Sequence, residues 1–132
     1  MQSFQLTLQI IGALIFVIAL LHGALGHGAE TLIGIPVPEM ARTNPSQDSQ
    51  NRFFGLAFAL YGVVLWFAAN DLQRYAELLN ATMGVFFMAG LGRLISMARR
   101  GLPAAPVIAL AVAEIVGPPI LYLLGKGVGN AI

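Results

Sequence analysis

The sequence predicts an all-α integral membrane protein built as a four-helix bundle, and three observations carry that prediction. Only 10% of the 132 residues are charged, against about 25% in a soluble domain, so the chain has too little polar surface to cover a globule in water. Hydropathy rises in four separate runs, about residues 4–25, 52–69, 75–97 and 104–124, each close to the ~20 residues that carry a helix across a bilayer. The connections between the last three runs are only a few residues long, which makes consecutive helices antiparallel neighbours. No soluble segment is left over, so residues 1–132 read as a single four-span domain.

The first run lies in MQSFQLTLQIIGALIFVIALLHGALGHG. It lacks the Lys/Arg start of a secretory signal and its apolar stretch is long, so it is expected to be a retained first membrane helix. The connection that follows contains TLIGIPVPEMA and, over residues 26–50, three prolines without a regular period. That pattern argues against a fifth span and suits a segment lying at the interface or dipping into the mouth of the bundle. Asn44 is a good N-cap, Pro45 suits the first helical position, and Gln47 falls at the capping-box position, so the second helix is expected to begin near Pro45, ahead of its apolar run. The connection at Asn70–Asp71 is very short, and Asp71 is placed to cap the third helix. That helix ends on Arg99 and Arg100, with Gly101 and Pro103 just beyond, which is strong stop chemistry. The spans thus read as two antiparallel hairpins, the second helix with the third and the third with the fourth. The last helix carries Pro118 and Pro119 and is expected to kink there.

Small residues recur at helical spacing: Ala105, Ala109, Ala113 and Gly117 on the fourth span, Gly55, Ala59 and Gly62 on the second, Gly84, Ala89 and Gly90 on the third. Lipid supplies no hydrophobic drive between helices, so such stripes are expected to be packing seams. Trp66, Tyr61 and Tyr75 fit interface anchors. A net charge of +1 gives no basic field for nucleic acid. The absence of cysteine removes disulfides, thiol nucleophiles and thiolate metal sites.

The chemistry rests on the few ionisable groups inside the spans. Glu114 lies ~15 Å along the fourth helix and Arg93 ~10 Å below the same surface on the third. Asp48 and Arg52, four residues apart, share one face of the second helix as it enters from that surface. His22 near the end of the first helix is expected to face the same region and to be capable of proton transfer. A lone charge at the centre of a span costs about 2.5–3.5 kcal/mol even on a lenient scale. Glu114 is therefore expected either to pair with Arg93 or to be kept neutral by desolvation. Pro118 and Pro119 have no N–H, so the carbonyls of Glu114 and Ile115 lose their helical donors. Broken helices at mid-depth are a recurring way to build a ligand site. The expectation is a polar ligand-binding pocket of Glu114, Arg93, Arg52, Asp48 and His22; the competing reading is a pair that only locks the helix register. Neither a metal nor a cofactor is expected, because two histidines and Glu30 match no ligand spacing.

The stretches DSQNRFFGLAFALYG (48–62), GLGRLISMARRGLP (90–103) and VAEIVGPP (112–119) resemble a bacterial family of roughly 130-residue, four-span membrane proteins known only as a domain of unknown function. The likeness covers almost the whole chain. It implies a compact four-helix bundle in the bacterial inner membrane and brings no reaction, cofactor or partner. A fainter likeness is to DoxX-type four-helix proteins.

The favoured function is binding of a lipid or lipophilic small molecule, or service as an accessory subunit, with a homo-oligomer or a membrane-protein partner as the assembly. One alternative is a small proton-coupled transporter. Small multidrug transporters have a similar length, but their acid stands on the first helix, which here has none before Glu30. A second alternative is an enzyme on a lipophilic substrate. It is less favoured, since the arginine-histidine-asparagine motif of four-span glutathione-linked enzymes is missing, NPSQDSQNRFFG being the nearest stretch. Arg42, Arg99 and Arg100, with Arg52 at the edge, outnumber Arg74 and Lys126. The loops 26–51 and 98–103 are therefore expected in the cytoplasm and both termini outside.

Overall fold

The structure, a computed structural model, describes residues 2–129. Six helices follow one another: α1 Gln2–Leu25, α2 Gly28–Leu32, α3 Glu39–Thr43, α4 Pro45–Asn70, α5 Ala76–Arg100 and α6 Ala105–Gly129. Four of them, α1, α4, α5 and α6 through Lys126, are long and apolar enough to cross a membrane. The chain is a multi-pass, all-α four-helix membrane bundle. Leu14 and Val17 on α1, Phe53 and Phe67 on α4, Val85 and Met88 on α5, and Val112 and Leu123 on α6 all face outward. Lipid solvates such faces and water does not.

The helix ends follow from local chemistry. Asn44 Oδ1 accepts from the backbone N–H of Ser46 (2.9 Å) and Gln47 (3.2 Å), with Pro45 at the first helical position. Only this half of the expected capping box forms, because the Gln47 side chain lies exposed and makes no return hydrogen bond among the described residues. Asp71 does not cap α5 itself. Its carboxylate accepts from Arg74 N–H (3.0 Å) and its carbonyl from Tyr75 N–H (3.1 Å), closing a turn that comes before α5 starts at Ala76. Gly101 ends α5 at φ 92°, its N–H donating to Met97 O at 2.9 Å. The long connection forms no span; its prolines permit only the one-turn helices α2 and α3.

Packing within the bundle is uneven. The second span packs mainly on the first, not on the third: α1 and α4 cross where Gly12 meets Gly62. A Cβ at Gly12 would stand 2.8 Å from Gly62 O, and one at Gly62 would stand 2.5 Å from Gly12 O. Backbones can approach this closely only where no side chain intervenes. The two hairpins are thus α1–α4, joined by the long connection, and α5–α6. The short Asn70–Ala76 link fixes sequence proximity but turns the chain from one hairpin to the other. The hairpins meet through Phe58, Tyr61 and Phe86, with ring centroids of Tyr61 and Phe86 4.5 Å apart, and through a core of Phe4, Leu8, Ile15, Leu65, Ala68, Leu79 and Met83. These residues lie toward the chain-terminal end of the bundle.

Two further expectations are corrected here. Ala105, Ala109 and Ala113 are exposed, so the small-residue stripe of α6 faces outward. The buried face of that helix is Ala111, Glu114 and Pro118, because it is the carboxylate that must turn inward. Gly84 and Ala89 are exposed as well, and of that stripe Gly90 alone enters a seam. Pro118 and Pro119 lie inside α6, which continues as helix past them.

Candidate functional site

The inward faces of α5 and α6 are written in their spacing. On α5, Leu79, Met83, Phe86 and Gly90 fall at alternating steps of four and three, and Arg93 continues the row. On α6, Val107, Ala111, Glu114, Pro118 and Leu121 do the same. Such a row stays on one side of a helix. Antiparallel packing brings Arg93 opposite Glu114, and the missing side chain of Gly90, one turn earlier, lets the helices close. A Cβ there would lie 2.9 Å from Ile115 Cδ1 and 3.1 Å from Glu114 Cβ.

The Arg93–Glu114 contact is bidentate: Nε donates to Oε2 at 2.7 Å and Nη2 to Oε1 at 3.1 Å. The two side chains are not equally enclosed. The carboxylate keeps 9% of its exposure, the arginine 38%. Both carboxylate oxygens are therefore engaged from one edge of the guanidinium. A guanidinium carries five N–H donors, and the three not used on Glu114 meet no acceptor among the described residues. At 1.5 Å per residue the pair lies ~10–14 Å along each helix from its loop-side end, within the span.

Asp48 and Arg52 are brought together, but elsewhere. Arg52 Nε donates to Asp48 Oδ2 (2.8 Å), and Nη1 donates to Gly23 O (2.9 Å) and Ala24 O (2.8 Å). Those carbonyls belong to the last turn of α1, where helical donors run out. Arg52 thus closes the C-terminal end of α1, with Asp48 orienting it. No hydrogen bond or ion pair among the described residues joins this pair to Arg93 or Glu114. His22 donates from Nδ1 to the Ile18 carbonyl one turn earlier (2.9 Å) and packs against Gly55 in the α1–α4 seam.

Beside Arg52 stands a group that sequence reasoning noted only as nearby residues. Glu30 Oε1 accepts from Asn51 Nδ2 (2.8 Å), and Glu30 Oε2 lies 3.1 Å from His27 Nδ1. The group ties α2 to α4. The i, i+3 spacing of His27 and Glu30 was its only trace in the sequence. No set of three or more His, Asp or Glu side chains converges as metal ligands among the described residues. A groove of about 360 Å³ does open on the membrane-facing side, where α1 crosses α4. Its walls are apolar, from Phe16, Val17, Trp66 and Phe67 among others.

Comparison with known proteins adds the family. A model described as "Domain of unknown function (DUF4345)" matches residues 3–125, which takes in all four spans and both polar pairs. The chain belongs to the DUF4345 family. Neither a curated protein nor a solved structure matches it. Membership therefore agrees with a small membrane protein whose function is open, and the chemistry has to be argued from the polar groups themselves.

Proposed function

We propose that this protein binds a lipid or lipophilic small molecule at the Arg93–Glu114 pair, alone or as an accessory subunit, in the bacterial inner membrane. One observation carries the reading: a guanidinium within a span commits a single edge to its carboxylate and leaves more than a third of its side chain exposed. In hydrocarbon an unmet polar donor is costly, and no water is at hand to satisfy it. A pair that served only to lock α5 against α6 would be better buried on both sides. Glu114 fixes the arginine, and the free donors of Arg93 take the polar end of a molecule whose remainder lies in the bilayer. The proposed topology has loops 26–51 and 98–103 on the cytoplasmic side and both termini outside, following the arginine excess of those loops.

Native mass spectrometry of protein released from lipid nanodiscs tests the binding. The wild-type protein is expected to retain one lipophilic adduct. The neutral double variant Arg93→Gln/Glu114→Gln, which leaves no unpaired charge, is expected to lose it while keeping its helical circular dichroism. An adduct equally abundant in both proteins, or none in either, contradicts the proposal.

A further inference from the structure

We infer that the group recognised by Arg93 is a neutral oxygen acceptor, the carbonyl of an ester, ketone or amide on an otherwise apolar molecule, and not an acid or a phosphate. The inference rests on the binding role just proposed and specifies its chemistry. Nε–H and one N–H of Nη2 point the same way along the side of the guanidinium, and this side holds Glu114. The other N–H of Nη2 and one of Nη1 are parallel along the end of the group, and Nη1 keeps a further N–H. This end edge is a ready fork for one or two acceptor oxygens, and the exposure of Arg93 makes it reachable.

Charge then selects the ligand. In solution a guanidinium fork suits a carboxylate or phosphate best, but here the arginine is already neutralised by Glu114. An anion added at the end edge would leave the site itself with a net negative charge. The pair of Asp48 with Arg52 is itself balanced, and Arg52 is spent on the carbonyls of Gly23 and Ala24. A neutral carbonyl satisfies the donors and leaves the charge of the site at zero. Glu114 is in this account a positioning residue: it turns the end edge outward and removes the attraction for anions.

The test uses full-length protein in bilayers with two probes of equal chain length, methyl oleate and oleate, each labelled with ¹³C at C1. Affinity is measured by titration as mole fraction in the membrane, and infrared difference spectra follow the labelled carbonyl. Methyl oleate is expected to bind saturably, about a hundredfold tighter than oleate, a difference of the size that one unpaired charge produces. Its carbonyl band should move to lower frequency as it accepts hydrogen bonds. Arg93→Lys keeps the charge but has no parallel edge, and should lose both the shift and most of the affinity. Glu114→Gln should reverse the order, so that oleate binds tighter. Preference of the wild-type protein for oleate, dependent on Arg93, overturns the neutral-acceptor inference and leaves the binding role standing. Binding of neither probe, or an unchanged ester carbonyl shift in Arg93→Lys, overturns the neutral-acceptor inference, and the binding role falls with it only where the lipophilic adduct of the wild-type protein is missing too.

Discussion

Glu114 is one of two polar residues buried among the described residues, the other being Thr82, whose hydroxyl donates to its own helix at Leu78 O, 2.7 Å. Both oxygens of Glu114 depend on a single partner, so the stability of the α5–α6 hairpin should respond non-additively to changes there. Glu114→Ala strands Arg93 in the span, at a cost of about 2.5–3.5 kcal/mol. Arg93→Ala strands the carboxylate at a similar cost. The double variant Arg93→Ala/Glu114→Ala strands nothing and should recover most of the loss. Thermal or denaturant unfolding in mixed micelles of all three measures the coupling. Losses that simply add would mean that the two groups act apart. The same contact was legible in the sequence because an inward charge in a span needs a partner and a short loop offers few. Arg52 was less legible. Its spacing from Asp48 was clear, but its carbonyl partners on α1 lie 28 and 29 residues earlier, and backbone acceptors leave no mark in the residue pattern.

At the scale of elements, glycine has opposite meanings at positions that look alike in sequence. Gly62 is pressed against the backbone of α1, where nothing flexible can move aside. Gly62→Ala should therefore part the α1–α4 seam and destabilise by about 1–3 kcal/mol, the usual range for overpacking. Gly84 has nothing within 4 Å of an added Cβ. Gly84→Ala should be neutral or stabilise α5 by up to about 1 kcal/mol, since alanine restricts the unfolded chain. Melting temperatures of the two variants should move in opposite directions or, at least, by clearly unequal amounts. A fall of equal size would contradict the seam as described. This contrast also shows why the stripes misled. A small residue fits a close crossing and an outward face equally well, so Ala105, Ala109 and Ala113 read as a seam until Glu114, one position further round, fixed which side turns in. Pro118 and Pro119 remove two backbone donors, and α6 continues as helix past them.

Across the whole molecule, the four spans and the start of α4 at Pro45 were legible, since apolar length and capping chemistry are local. The pairing of α5 with α6 was legible as well, from the tight turn between them and the Arg93–Glu114 charges; that of α1 with α4 was not. The long connection carries α1 onto α4, while the short one at Asn70 joins neighbours that share only aromatic contacts and one end of the core. Loop length limits separation; it does not choose among packing faces. The result places the shared core toward the termini and each ion pair within its own hairpin toward the loops. Topology can be tested on this chain with little background, because it has no cysteine. Ser46→Cys should be shielded in intact cells from a membrane-impermeant maleimide and Gln73→Cys labelled, as the arginine excess of the loops demands. The reverse pattern would invert the proposed orientation. The account as a whole stands on the intramembrane contact of α5 with α6, and its most direct test is ¹³C–¹⁵N dipolar recoupling by solid-state NMR between Glu114 Cδ and the Arg93 guanidinium in lipid bilayers. Strong coupling to Nε and Nη2 and weak coupling to Nη1 is the predicted result; no coupling to any of the three would contradict it.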